Sequence, residues 1–108
     1  MEKIIEIGIL YSYYSSLLTA KQRDVVNGYF NEDLSLNEIA QLHGISKQSV
    51  SDMLNRSVKK LYNFENKLGI VKKSRKITDE IFEIIDLIKK DTDKNIIVEK
   101  LLRITKEN

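Results

Sequence analysis

Proline is absent from all 108 positions, and glycine occurs only at 8, 28, 44 and 69. No stretch is therefore barred from helix by a residue that cannot donate to the helical ladder. Apolar residues recur at steps of three and four, and alternation with a period of two is missing over any useful length, so the chain reads as all-α. The expected architecture is a helical bundle containing a winged-helix-like helix-turn-helix unit, a long fourth helix and a C-terminal helical pair.

Cap signals divide the chain. Ile4, Ile7, Leu10 or Tyr11, Tyr14 and Leu17 make one stripe on a first helix over about 2–16. Thr19 followed by Gln22 has capping-box spacing and predicts a second helix over 20–31 that buries Val25, Val26, Tyr29 and Phe30. Ser35 with Glu38 repeats the device for a short helix carrying Leu36, Ile39, Ala40 and Leu42, which Gly44 ends. Ser46 then caps a helix with Val50, Leu54, Ser57 or Val58, Leu61 and Leu68 on one face, closed by Gly69. Residues 70–77 read as a basic linker, and Thr78-Asp79-Glu80 as a fresh helix start. Ile81, Ile84, Ile85 and Ile88 form a further stripe, as do Ile97, Leu101 and Ile104. The expected organisation is one domain: a core over 1–69 with its motif at 36–61, the linker, and C-terminal helices over 78–105. The last two helices have few residues to pack with each other, so they must close on the bundle or on a second copy.

The stretch from Leu36 to Leu54 has the spacing of a helix-turn-helix. Ile39 and Ala40 face the partner helix, Gly44 supplies the positive φ of a tight turn, and Ile45, Val50 and Met53 fill the wedge. Only His43 stands where an apolar residue is commoner. In this motif the second helix enters the major groove and its first turns reach base edges. Here those residues are Ser46, Lys47, Gln48, Ser51 and Asp52, with Asn55 and Arg56 one turn on. Gln48 and Asn55 have amides suited to adenine, Lys47 reaches guanine or phosphate, and Arg56, Lys59 and Lys60 suit phosphate.

Charge is segregated in the same sense. Residues 1–45 hold 3 bases and 6 acids, 46–76 hold 9 bases and 2 acids, and 77–108 hold 6 bases and 8 acids. The positive field is thus confined to the motif helix and to Lys72, Lys73, Arg75 and Lys76. Asp52, in the middle of the face that would approach phosphates, works against them, so affinity would lean on Lys59, Lys60 and the 72–76 cluster.

Other function classes find little footing. Cysteine is absent, which rules out a disulfide framework, a thiolate metal site and thiol catalysis. His43, the single histidine, has no serine or acid at activating spacing, and no glycine-rich phosphate loop or metal-ligand cluster occurs. The expectation is a non-enzyme without cofactor or metal. The run Ile4-Ile5-Glu6-Ile7 does not read as a signal peptide, and no apolar stretch approaches the roughly 20 residues that span a bilayer. A cytoplasmic protein, away from membranes, is expected.

The segments 10–22, 29–40 and 44–52, continued by Arg56, Lys60-Leu61 and Glu65-Asn66-Lys67-Leu68, resemble the YlxM family of small bacterial helix-turn-helix proteins. The core is also similar to the promoter-reading C-terminal domain of sigma factors. The resemblance implies a nucleic-acid-binding fold without catalytic residues and a link, through gene neighbourhood, to the signal recognition particle pathway. Two functions follow as expectations. One is a DNA-binding regulator acting as a homodimer, with DNA ahead of RNA as ligand; the other is an accessory protein touching the particle's RNA or GTPase.

Overall fold

A computed structural model describes residues 2–107, which contain six α-helices and no strand. In chain order these are α1 (Glu2–Tyr14), α2 (Ala20–Phe30), α3 (Leu36–His43), α4 (Lys47–Leu68), α5 (Ile70–Lys89) and α6 (Lys94–Glu107), with a single 3₁₀ turn at Ser15–Leu17. The all-α expectation holds. Without strands among the described residues there is no wing, so the winged-helix-like arrangement is not formed. The chain divides into two compact units, 1–69 and 70–108.

In the first unit α4 is the spine, and α1, α2 and α3 each pack on it. Its inward row is Val50, Leu54, Ser57 and Leu61, all buried, met by Ile7, Leu10, Tyr14, Leu18, Val25, Val26, Ile39 and Ala40. The predicted caps are formed by hydrogen bonds. Gln22 N–H donates to Thr19 Oγ1 at 3.2 Å while Thr19 N–H donates to Gln22 Oε1 at 3.0 Å. Ser35 and Glu38 do the same at 3.1 and 3.0 Å. These bonds to Ser35 hold the exposed Glu38 carboxyl below its ordinary range.

Several packing expectations are corrected. Leu18, not Leu17, turns inward, because the helix ends in a 3₁₀ turn at 15–17 and Leu18, extended at φ −85°, ψ 157°, is where the chain breaks from the helical stripe. Ile4, at the opposite end of the α1 stripe, is exposed, as are Tyr29, Leu42 and Leu68. At position 57 the smaller of the two candidates, Ser57, is the buried one.

The second unit is an antiparallel helical hairpin. Residues 70–77, expected as a linker, are instead the first two turns of α5. Lysine and arginine are good helix formers, and the step from Val71 through Ser74 to Ile77 continues a helical stripe. Thr78 is accordingly no cap: its hydroxyl donates to Ser74 O at 3.0 Å, inside the helix. The C-terminus of α5 is a Schellman turn, with Asp91 at φ 57°, Thr92 N–H donating to Leu87 O and Asp91 N–H to Ile88 O, both at 3.1 Å. Asp93 then caps α6 through Asn95 N–H at 2.9 Å. Only Val71 and Ile84 are buried in α5, and no side chain of α6 is.

Candidate nucleic-acid interface

The turn between α3 and α4 takes three residues. Gly44 adopts φ 63°, ψ 34°, the left-handed conformation in which a Cβ would crowd the following carbonyl. Both Gly44 and Ile45 donate their N–H to Ala40 O, so the last turn of α3 is closed before the chain leaves it. Ser46 then caps α4, accepting from Ser49 N–H at 3.0 Å. This end is rigid because Val50, fully buried one turn later, anchors the helix beneath the turn.

A helix buried along one row must expose the opposite one. Gln48, Ser51, Asp52 and Asn55, spaced i, i+3, i+4 and i+7, lie on the side of α4 away from Val50, Leu54, Ser57 and Leu61, with Arg56 and Lys59 extending the strip. All are exposed except Ser51, which is half-buried; Ser46 and Lys47 are exposed at the helix start. The expected contact residues are therefore brought together on one accessible strip of a well-anchored helix.

Within that strip the polar groups already engage one another. Gln48 Nε2 donates to Asp52 Oδ1 at 3.0 Å, one turn along, and Arg56 Nε reaches Asp52 O at 3.4 Å. Lys60 departs from the strip: its ammonium lies 3.5 Å from Gln22 Oε1, beside the N-terminus of α2. Lys72, Lys73, Arg75 and Lys76 are exposed but belong to the other unit, on the first two turns of α5, where Lys76 pairs with Glu107 at 3.2 Å. The cluster is thus a helical surface with fixed spacing, where a basic linker was expected.

The sequence model of UPF0122, described as "Putative helix-turn-helix protein, YlxM / p13 like", matches residues 1–104. The chain belongs to the UPF0122 family. It is 42% identical over 89 residues to a UPF0122 protein of Clostridium botulinum, covering 82% of each chain. A UPF0122 protein of Fusobacterium nucleatum is 36% identical over 103 residues, 94% of this chain and 98% of its own length. One from Desulforamulus reducens is 40% identical over 88 residues, covering 82% of this chain and 75% of the relative.

In this UPF0122 chain the structure also adds residues that sequence reasoning passed over. Tyr14, buried and treated only as packing, donates its hydroxyl to Glu65 Oε1 at 2.6 Å, tying α1 to the C-terminal half of α4. Tyr62 donates to Glu6 across the same pair of helices, and this bond, with some desolvation, pushes its phenol up to about 12. Both links tie α4 to α1 beyond the C-terminal end of the exposed strip. They join residues far apart in sequence, and no local pattern announces them.

Proposed function

We propose that this UPF0122 protein is a non-enzymatic, nucleic-acid-binding regulator that lays the N-terminal half of α4 in the major groove of duplex DNA and acts as a homodimer. The reading is carried by one observation: the strip Gln48, Ser51, Asp52, Asn55, Arg56 and Lys59 is accessible while the opposite row of the same helix is buried. A groove-reading helix needs that division, because its contact side chains must reach base edges while its back is fixed to the domain. Gln48 and Asn55 are the base readers in this scheme, and Arg56, Lys59 and Lys60 contact phosphate. Two motifs in a homodimer read paired half-sites. Action in the cytoplasm is part of this reading; no helix of the described residues is long and apolar enough to cross a membrane.

A second reading, an accessory role on the RNA or GTPase of the signal recognition particle, is favoured by the Gln48 to Asp52 bond. It occupies the amide that would read adenine and places a carboxylate in the contact strip, while the 72–76 bases belong to the other unit. RNA is read by shape and by unpaired bases, for which the strip is dispensable.

Selection of bound sequences from a random duplex pool separates the two. For the DNA regulator, wild type enriches a defined motif, and Gln48→Ala and Asn55→Ala each change the preferred bases at their own positions by about 1–3 kcal/mol of discrimination. Absence of any enriched duplex, together with tight binding to the particle's RNA that both variants retain, would reject it in favour of the second reading.

A further inference from the structure

Each helix of the α5–α6 hairpin carries two apolar strips, and the hairpin uses only one of them. The packed strip contains Ile84, buried, with Ile77, Leu87, Ile97 and Ile104 half-buried. The hairpin is antiparallel, since Lys76 near the start of α5 pairs with Glu107 at the end of α6 and Glu80 and Ile84 flank the same small cavity as Lys100 and Ile104. Beside the packed strip run Ile81, Ile85 and Ile88 on α5 and Val98, Leu101 and Leu102 on α6, between 40% and 58% exposed. In both helices the second strip follows the packed one in the same rotational sense. Because the helices run in opposite directions, that common sense turns both strips to the same side of the hairpin. The result is one continuous apolar face, extended at its outer edge by Phe82, 64% exposed.

We infer that this face is where two copies of the chain join, hairpin against hairpin, into a four-helix bundle. The inference rests on the homodimer in the proposed function but not on the nature of the nucleic acid. Three features select a second copy as occupant. The exposed apolar area is several hundred Å², approaching the ~800 Å² that each partner contributes to a standard interface and more than a monomer ordinarily leaves in one patch. The middle of the face holds no charge: Asp79, Glu83 and Asp86 lie on the far side of α5, and Lys89 and Lys94, which share the face, stand at its loop end; loss of charge from the centre marks a protein interface. Finally, a two-helix hairpin with two buried side chains has no core of its own, and pairing it about a two-fold axis gives the smallest closed all-helical core.

The test is the mass of the full-length protein in solution by sedimentation equilibrium, for wild type, Ile85→Glu and Leu101→Glu, with Ile4→Glu as a control on another exposed apolar residue. Wild type is expected at twice the chain mass, both hairpin variants at a single chain mass, and the control unchanged. Circular dichroism checks that the helices persist. Because the chain has no cysteine, a separate variant, Ile85→Cys, reports the same contact without adding charge. Under mild oxidation it is expected to form a disulfide-linked pair, while Ile4→Cys does not. The inference is overturned by a wild type that is monomeric at tens of micromolar, including one that instead co-sediments with anionic vesicles. It is equally overturned by a dimer that survives Ile85→Glu and Leu101→Glu with Ile85→Cys left uncrosslinked. Loss of dimerisation with duplex selection intact, or the reverse, separates this interface from the DNA reading.

Discussion

Asp52 is the one residue of the exposed α4 strip whose charge opposes a polyanion, and its carboxylate accepts from Gln48 Nε2. Asparagine keeps an oxygen for that bond and removes the charge. Two unit charges at contact distance in water interact by about 1 kcal/mol, so Asp52→Asn is expected to tighten binding to random duplex DNA several-fold at low salt. The gain should shrink as salt rises, because screening removes an exposed repulsion. Fluorescence anisotropy across a salt series measures it, and an unchanged affinity at every salt would mean the strip does not approach phosphate. The glycines give a second test at this scale. Gly44, at φ 63°, has open space where a Cβ would project, so its cost on substitution is backbone strain: Gly44→Ala should destabilise by about 1–2 kcal/mol. Gly8 lies within α1, also with nothing in reach, and Gly8→Ala should stabilise by about 0.5–1 kcal/mol. Chemical denaturation of the two variants checks the opposite signs. That Gly44 would turn the chain was legible in the sequence, since a glycine between a helical stripe and a serine cap has few other uses. That Gly8 lies in the open within α1 while Gly28 is buried against Leu34 and Ile39 was not legible, since both read only as glycines a helix tolerates.

Between elements, the pairing of α1 with α4 depends on two tyrosine-to-glutamate bonds, Tyr14 with Glu65 and Tyr62 with Glu6. For Tyr62 the folded phenol is raised to about 12 from an ordinary value of 10.0, so its bond contributes fully below pH 10 and is lost as pH rises through 12. In an ultraviolet tyrosinate titration of the folded protein, Tyr62→Phe should remove one equivalent from the phase near pH 12. Glu6→Gln should move that equivalent back toward 10. A titration in which neither variant differs from wild type would show that the α1–α4 link does not form. These links were illegible beforehand because they join residues 51 and 56 positions apart. The caps at Thr19, Ser35 and Ser46 were legible because each is closed within three residues. The same locality explains the error at 70–77. Thr78 followed by two acids has the composition of a helix start, and whether it begins a helix or continues one depends on the preceding residues. Their lysines and arginines read as linker polarity although they are good helix formers.

At the scale of the whole chain, the 18 bases and 16 acids are not spread evenly between the two units. Residues 1–69 hold 8 of each, and residues 70–108 hold 10 bases and 8 acids, so the unit carrying the motif is neutral. The positive segment seen in the sequence is therefore divided by the boundary at Gly69, with Arg56, Lys59 and Lys60 on one side and Lys72, Lys73, Arg75 and Lys76 on the other. Each phosphate contact releases condensed counterions and adds about 0.9 to the slope of log affinity against log salt. If both groups touch the same duplex, alanine at all four positions of the 72–76 cluster should lower the slope by up to ~3.6, and alanine at Lys59 and Lys60 by up to ~1.8. If each group contacts phosphate independently, the two reductions should add. Should the α4 pair alone change the slope, the cluster on α5 serves helix stability and solubility, and duplex binding belongs to the first unit. A slope set by the α5 cluster alone would leave the α4 strip without a phosphate anchor and move the polyanion site to the C-terminal hairpin.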